Sequence, residues 1–131
     1  MPNRKEGGVD TGWFITKAAE NNWDEFDSRV LKVCNSDDWL AWTESGMSSP
    51  VLDKRDLAIS ILEKTEVALD GKKTEKLNII LTQDENTHLR RKAAIALWRH
   101  GNKNDQVLSR LKEALSDKEL ENEVRELLSQ A

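Results

Sequence analysis

At 131 residues, with 34% charged side chains and a net charge of −4, the chain has the length of one domain with a real core, and its acid excess weighs against a general nucleic-acid binder. The charge is uneven: residues 1–71 carry 8 Lys/Arg against 14 Asp/Glu (−6), and residues 72–131 carry 12 against 10 (+2). Six Gly and two Pro leave few interruptions and favour helix.

In chain order, residues 1–10 are polar and Gly-rich and read as a frayed tail. Thr11 is placed to cap a helix from Trp13 to Glu20, which Asn21-Asn22 ends. A second helix, 23–34, starts with Asp24, Glu25 and Asp27 where the macrodipole favours acids, and carries the stripe Phe26, Val30, Val33, Cys34. Cys34 is the single cysteine, so an internal disulfide is excluded, and beside Leu31 and Val33 it reads as a small buried hydrophobe. Ser36 caps a short helix, Asp37 to Glu44, with Trp39 and Trp42 at i, i+3. Residues 46–50 are the clearest loop. A long helix to Ala68 follows, with Leu57, Ala58, Ile61 and Leu62 inward. Residues 70–73 turn the chain, and Thr74 caps a helix through Leu81. After a helix at 89–99, Asp105–Leu115 and then a helix from Asp117 to Ser129 complete the chain. No run alternates with period two, so no strand is expected.

The helix at 89–99 is the best formed. Leu89, Ala93, Ala96 and Leu97 share one face, Ala94 and Trp98 an adjoining one, and Gly101 stands where a left-handed stop residue belongs. A shift of 31 residues brings Leu77 onto Leu108, Leu89 onto Leu120, Ala93 onto Val124 and Leu97 onto Leu128. A shift of 36 brings Leu57, Ala58, Ile59 and Ile61 onto Ala93, Ala94, Ile95 and Leu97. The repeating unit is a helical hairpin.

The turn Asp84-Glu85-Asn86, the run Leu89-Arg90-Arg91-Lys92-Ala93-Ala94-Ile95-Ala96-Leu97 and the stop at Gly101 resemble a HEAT-type repeat of the short, phycobilisome-lyase kind. The match is good over 74–101, fair over 103–129 and loose over 50–68, where Leu57 stands for the first Ala. The resemblance implies an all-α, right-handed α-solenoid of about three HEAT-like hairpins (50–131), preceded by a divergent Trp-rich part (11–49) that forms an irregular helical cap; residues 11–131 make one domain. It also implies a concave face, lined by inner helices, that holds partners.

On that basis the outward arcs give rungs Arg55/Arg91/Asn122, Asp56/Lys92/Glu123, Ile59/Ile95/Glu126 and Glu63/Arg99/Gln130. The candidate partner-binding residues are Arg55, Ile59, Arg91, Lys92, Ile95 and Arg99, with Trp39 and Trp42 as an aromatic pair. Within the rungs Asp56/Lys92/Glu123 and Glu63/Arg99 the sign alternates between neighbouring helices, which reads as inter-repeat salt bridging, and the tryptophans read as a packed end cap. The leading function is a non-catalytic protein-interaction module, a scaffold or adaptor for another protein or peptide. Nucleic-acid binding through Arg91, Lys92 and Arg99 is the first alternative. A lyase-type accessory acting on a bilin-carrying partner, and self-association through the Trp-rich end, are the others. His88 and His100 lie on opposite sides of one helix with no Cys near, so no metal set forms, and no catalytic constellation or cofactor loop is present. The longest apolar run, Ala93–Trp98, falls far short of a membrane span, and no apolar signal core opens the chain; a cytoplasmic protein is expected.

Overall fold

Short polar side chains start most of the helices. The computed structural model of the chain describes residues 5–6 and 8–130. Among them are eight helices: α1 (Gly12–Ala19), α2 (Trp23–Val33), α3 (Asp37–Met47), α4 (Leu52–Lys64), α5 (Gly71–Gln83), α6 (Thr87–Arg99), α7 (Asp105–Ala114) and α8 (Glu121–Ser129). Asn22, Ser36, Asp70, Asn86 and Asn104 each accept a hydrogen bond from the backbone N–H three residues on, which satisfies one orphan donor per helix start. The fold is all-α apart from one minimal pairing. Strands β1 (Lys5–Glu6) and β2 (Val9–Asp10) pair antiparallel, with Gly8 at φ +89° between them, and Val9 is buried. Part of the expected tail is therefore ordered backbone; its residues 1–4 and 7 lie outside the described ones. Two-residue strands are too short to leave a period in the sequence.

The chain divides into two compact units, Met1–Ala68 and Leu69–Ala131. This division falls after α4, whereas the sequence reading joined that helix to those that follow it.

In the first unit α4 is the central helix, and α1, α2 and α3 all pack on it. Seven consecutive residues, Leu57–Glu63, are buried, which covers every face of the helix. The expected loop at 46–50 is shorter, because α3 continues through Gly46 and Met47, both buried. Gly46 is needed there by space: a Cβ would lie 2.7 Å from Trp42 Cη2 and 3.0 Å from Ala58 Cβ. Around Phe14 the aromatics form one chain of edge-to-face contacts. Phe14 touches Trp13, Phe26 and Trp39 at 5.1–5.2 Å between ring centroids; Trp23 reaches Phe26 at 5.0 Å and Trp42 reaches Trp39 at 5.8 Å. Asn35 Oδ1 accepts from Thr65 Oγ1 and from the Glu66 backbone N–H, both at 2.9 Å, and so holds the segment after α4 to the α2–α3 turn. Cys34 is 3% exposed, and burial raises its thiol pKa, as a small packed hydrophobe requires.

In the second unit α6 is the central helix, with α5 and α7 packed on it and α8 on α7. Leu89 and Ala93–Trp98 are all buried. Gly101, at φ +88°, ends α6 in a Schellman motif: Asn102 N–H donates to Leu97 O at 2.9 Å and Gly101 N–H to Trp98 O at 3.0 Å. Asp70, not Thr74, caps α5. The last helix begins four residues after Asp117, because Asp117 first closes a turn with the N–H groups of Glu119, Leu120 and Glu121.

Gly46→Ala is expected to lower unfolding free energy by about 1–3 kcal/mol through overpacking against Trp42 and Ala58. Gly101→Ala is expected to cost about 1–2 kcal/mol through its left-handed backbone. Urea unfolding followed by circular dichroism reads both, and a Gly46→Ala midpoint equal to wild type would show that α3 and α4 do not approach so closely.

Candidate interaction surface

Two of the residues expected on an outward, partner-binding face are buried instead. Ile59 and Ile95 are both 0% exposed. Their neighbours on each side along α4 and α6 are buried as well, so neither isoleucine has an outward arc to occupy. Glu63, also expected outward, is 5% exposed, with Lys64 Nζ at 3.8 Å. Arg55 turns back on its own unit, where Nη1 donates to Ser49 O at 3.1 Å. Trp42 is 4% exposed and belongs to the core, whereas Trp39 is half-buried within the aromatic chain. For these two tryptophans packing accounts for the side chain.

The basic arc of α6 is largely compensated. Arg99 Nη2 meets Glu123 Oε2 at 2.7 Å. Arg91 lies 3.6 Å from Asp117 Oδ2 and 3.9 Å from Glu113 Oε1, with its side chain 20% exposed. Lys92 is half-buried. Arg90 serves the turn itself, donating to Asp84 O and Thr87 Oγ1, both at 3.1 Å.

Asp117 is the centre of a polar network that joins α6 to the α7–α8 turn. His88 Nδ1–H donates to Asp117 Oδ2 at 2.9 Å, and His88 Nε2 lies 3.6 Å from Glu119 Oε2. On the other side Glu113 accepts from Arg110 Nη1 at 2.7 Å, and Arg110 Nε donates to Leu81 O at 3.1 Å, which adds α5. Burial pushes the Asp117 carboxyl pKa up. The His88 hydrogen bond, the Glu119 N–H and the charges of His88 and Arg91 outweigh it, and the net direction is down. The network is a structural clamp, and no group of three or more His, Cys, Asp or Glu among the described residues has metal-binding geometry.

A different surface lies on the first unit, where α1 and α2 meet. A cleft of about 310 Å³ is lined by Trp13, Asp24, Glu25, Ser28, Arg29 and Lys32. The Trp13 ring carries two cations: Arg29 Cζ 5.0 Å and Lys17 Nζ 5.5 Å from its centroid. Lys17 is committed elsewhere, since Glu25 Oε2 is 2.7 Å away and Glu20 Oε1 3.6 Å. Its hydrogen bond to Glu25 raises its pKa above the ordinary lysine value. Arg29, Lys32 and Asp24 are exposed and have no ion-pair or hydrogen-bond partner among the described residues. Beside the cleft, α2 shows two large apolar side chains to solvent, Trp23 (37% exposed) and Leu31 (62%). Sequence reasoning missed this surface because it assigned α2 by its inward stripe; the exposed Leu31, off that stripe, was the available signal. No family model, curated protein or solved structure matches the chain.

Asp117 ionises more readily folded than unfolded, so its contribution to stability is complete above its ordinary carboxyl pKa of about 4 and is lost as pH falls through the lower folded value. Asp117→Asn keeps an acceptor for the Glu119 N–H but removes the charge. It is expected to cost about 1–3 kcal/mol near neutral pH, as for a hydrogen bond to a charged group. The gap to wild type should close as pH drops below about 4. Urea midpoints across acid pH test this, and a pH-independent gap would mean that the carboxylate charge is not what clamps the turn.

Proposed function

We propose that the chain is a non-catalytic protein-interaction module, a scaffold or adaptor, whose docking surface is the outer face of α2 and the adjoining α1–α2 cleft. The observation that carries this reading is Leu31, 62% exposed on a well-capped helix, two turns along from the exposed Trp23. Trp23, Asp27 and Leu31 follow at four-residue intervals and share one stripe. Large apolar side chains kept in water on a rigid helix carry a standing cost, and burying them against a partner recovers it; tryptophan is the residue type most enriched at such hot spots. No helix among the described residues is long and apolar enough to cross a membrane.

The kinship of residues 71–129 to HEAT hairpins, and their stacking as a solenoid, belong to the same proposal. What supports them is local: α5 packs on α6 across a short turn that Arg90 ties to Asp84 O, and α6 takes α7 on another side. The concave ladder drawn from the resemblance is not part of the proposal, since Ile59 and Ile95 are buried. Nucleic-acid binding through Arg91, Lys92 and Arg99 is disfavoured by the carboxylates already at Arg91 and Arg99, which leave little uncompensated charge for phosphates.

Affinity capture from host lysate after nuclease treatment, with wild type and Leu31→Glu compared, tests the reading. Wild type should retain a stoichiometric protein that Leu31→Glu loses, while the two melting curves overlay because Leu31 is exposed. Equal retention by both proteins would move the surface elsewhere, and capture that disappears with nuclease would favour nucleic acid.

A further inference from the structure

The α1–α2 cleft holds an unusual electrostatic arrangement. Arg29 is held over the Trp13 ring, 5.0 Å from its centroid, and no carboxylate of the described residues engages its guanidinium. A guanidinium stacked on an aromatic face keeps its N–H edge free, and that edge matches a carboxylate with two parallel hydrogen bonds. Stacking also restricts the rotamers of the long side chain, so less entropy remains to be lost on binding. Lys32, one turn further along α2, is a second cation unpaired among the described residues, and the Ser28 hydroxyl lies on the same cleft with no hydrogen-bond partner among them. These donors occur on a unit whose 8 Lys/Arg face 13 Asp/Glu, a net charge of −5. Two free cations at one cleft, in a unit with more than enough carboxylates to pair them, are what an external anion would meet.

We infer that the α1–α2 cleft is a recognition site for a single carboxylate carried next to an apolar or aromatic group, as on an acidic side chain or chain end of a peptide, with Arg29 and Lys32 taking the carboxylate and Trp13 the apolar part.

The size and the remaining charges narrow the ligand. About 310 Å³ is at the lower limit of ordinary small-molecule pockets and has room for one side chain with its neighbouring peptide group. Asp24 and Glu25 line the same cleft and offset part of its positive charge, so its two cations suit one carboxylate. The inference rests on the interaction-module reading and names the chemistry of one contact within it.

The probe is 3-phenylpropionate, which joins one aromatic ring to one carboxylate; phenethylammonium, 3-phenylpropanol and inorganic phosphate are the comparisons. Titration of the ¹⁵N-labelled full chain is followed at the Trp13 indole N–H, identified by its loss in Trp13→Phe. The expected result is a saturable millimolar shift of that signal with 3-phenylpropionate, weakened at least tenfold in Arg29→Gln/Lys32→Gln and by added salt. Both positions are exposed, so the double variant should melt with wild type, and Arg29→Lys should restore only part of the affinity because it lacks the planar fork. The inference is overturned by no saturable shift, by an equal response to phenethylammonium or 3-phenylpropanol, by tighter binding of inorganic phosphate, or by an unchanged double variant. The free probe needs no protein partner, so a failure here leaves the Leu31→Glu capture result standing, and a failure there leaves this one standing.

Discussion

Two helices, α4 and α6, are buried around their full circumference through their middle turns, and this constraint shapes the molecule. Each is 13 residues long, too short to be stable in water alone, so its stability comes from tertiary burial. When consecutive residues such as Leu57–Leu62 or Ala93–Trp98 are apolar or small and all buried, neighbours must close on every side. Each of these helices is therefore the centre of a unit, and the residues that meet solvent belong mainly to the helices packed around it. A surface for recognition has to be sought on those peripheral helices.

The peripheral charges of the two units are used differently. In the second unit Asp117, Glu113 and Glu123 are engaged by His88, Arg91, Arg110 and Arg99, at distances from 2.7 to 3.9 Å. The exposed members of such a set contribute little each, about 0–1 kcal/mol, but Asp117 is 13% exposed and joins α6 to the α7–α8 turn, so its loss is felt at that turn. In the first unit Arg29, Lys32 and Asp24 are unpaired among the described residues. Both units have charges of each sign, so composition alone does not account for the contrast. Pairing in the second unit follows from geometry: α6 and the α7–α8 turn bring opposite charges together, whereas at the α1–α2 cleft α1 sets Lys17 beside Glu25 and places the Trp13 ring, not a carboxylate, beside Arg29.

Much of the helix pattern is legible in the sequence, because it rests on local chemistry. Asn86 and Gly101 bound α6 by a side-chain acceptor and a left-handed residue, and both act within a few residues of chain. Asn21, at φ +58°, ends α1 in the same way. What could not be read locally was which arc of a helix faces water. Ile59 and Ile95 fell on outward arcs only under the assumption that each helix keeps an arc open to solvent through its middle turns, and that assumption fails for a central helix. Gly46 read as a loop residue because glycine usually breaks helices, yet here it lies inside α3 where Ala58 and the Trp42 ring leave no room for a Cβ. The β1–β2 pairing was invisible for a different reason, since two residues per strand carry no periodicity.

The tryptophans illustrate how one composition signal separates into two roles. Trp42 fills the α3–α4 contact, whereas Trp13 and Trp23 keep part of their surface in water while touching the buried Phe14 and Phe26 edge-to-face. That contact fixes the inner edge of each indole to the core, so the exposed part is presented at a set angle and does not move freely. An aromatic anchored in this way costs little further entropy on binding, which is the property that makes tryptophan effective at interfaces. The same aromatic chain that gives the first unit its core thus also stiffens its outer surface, and the core and the candidate site are two ends of one packed network.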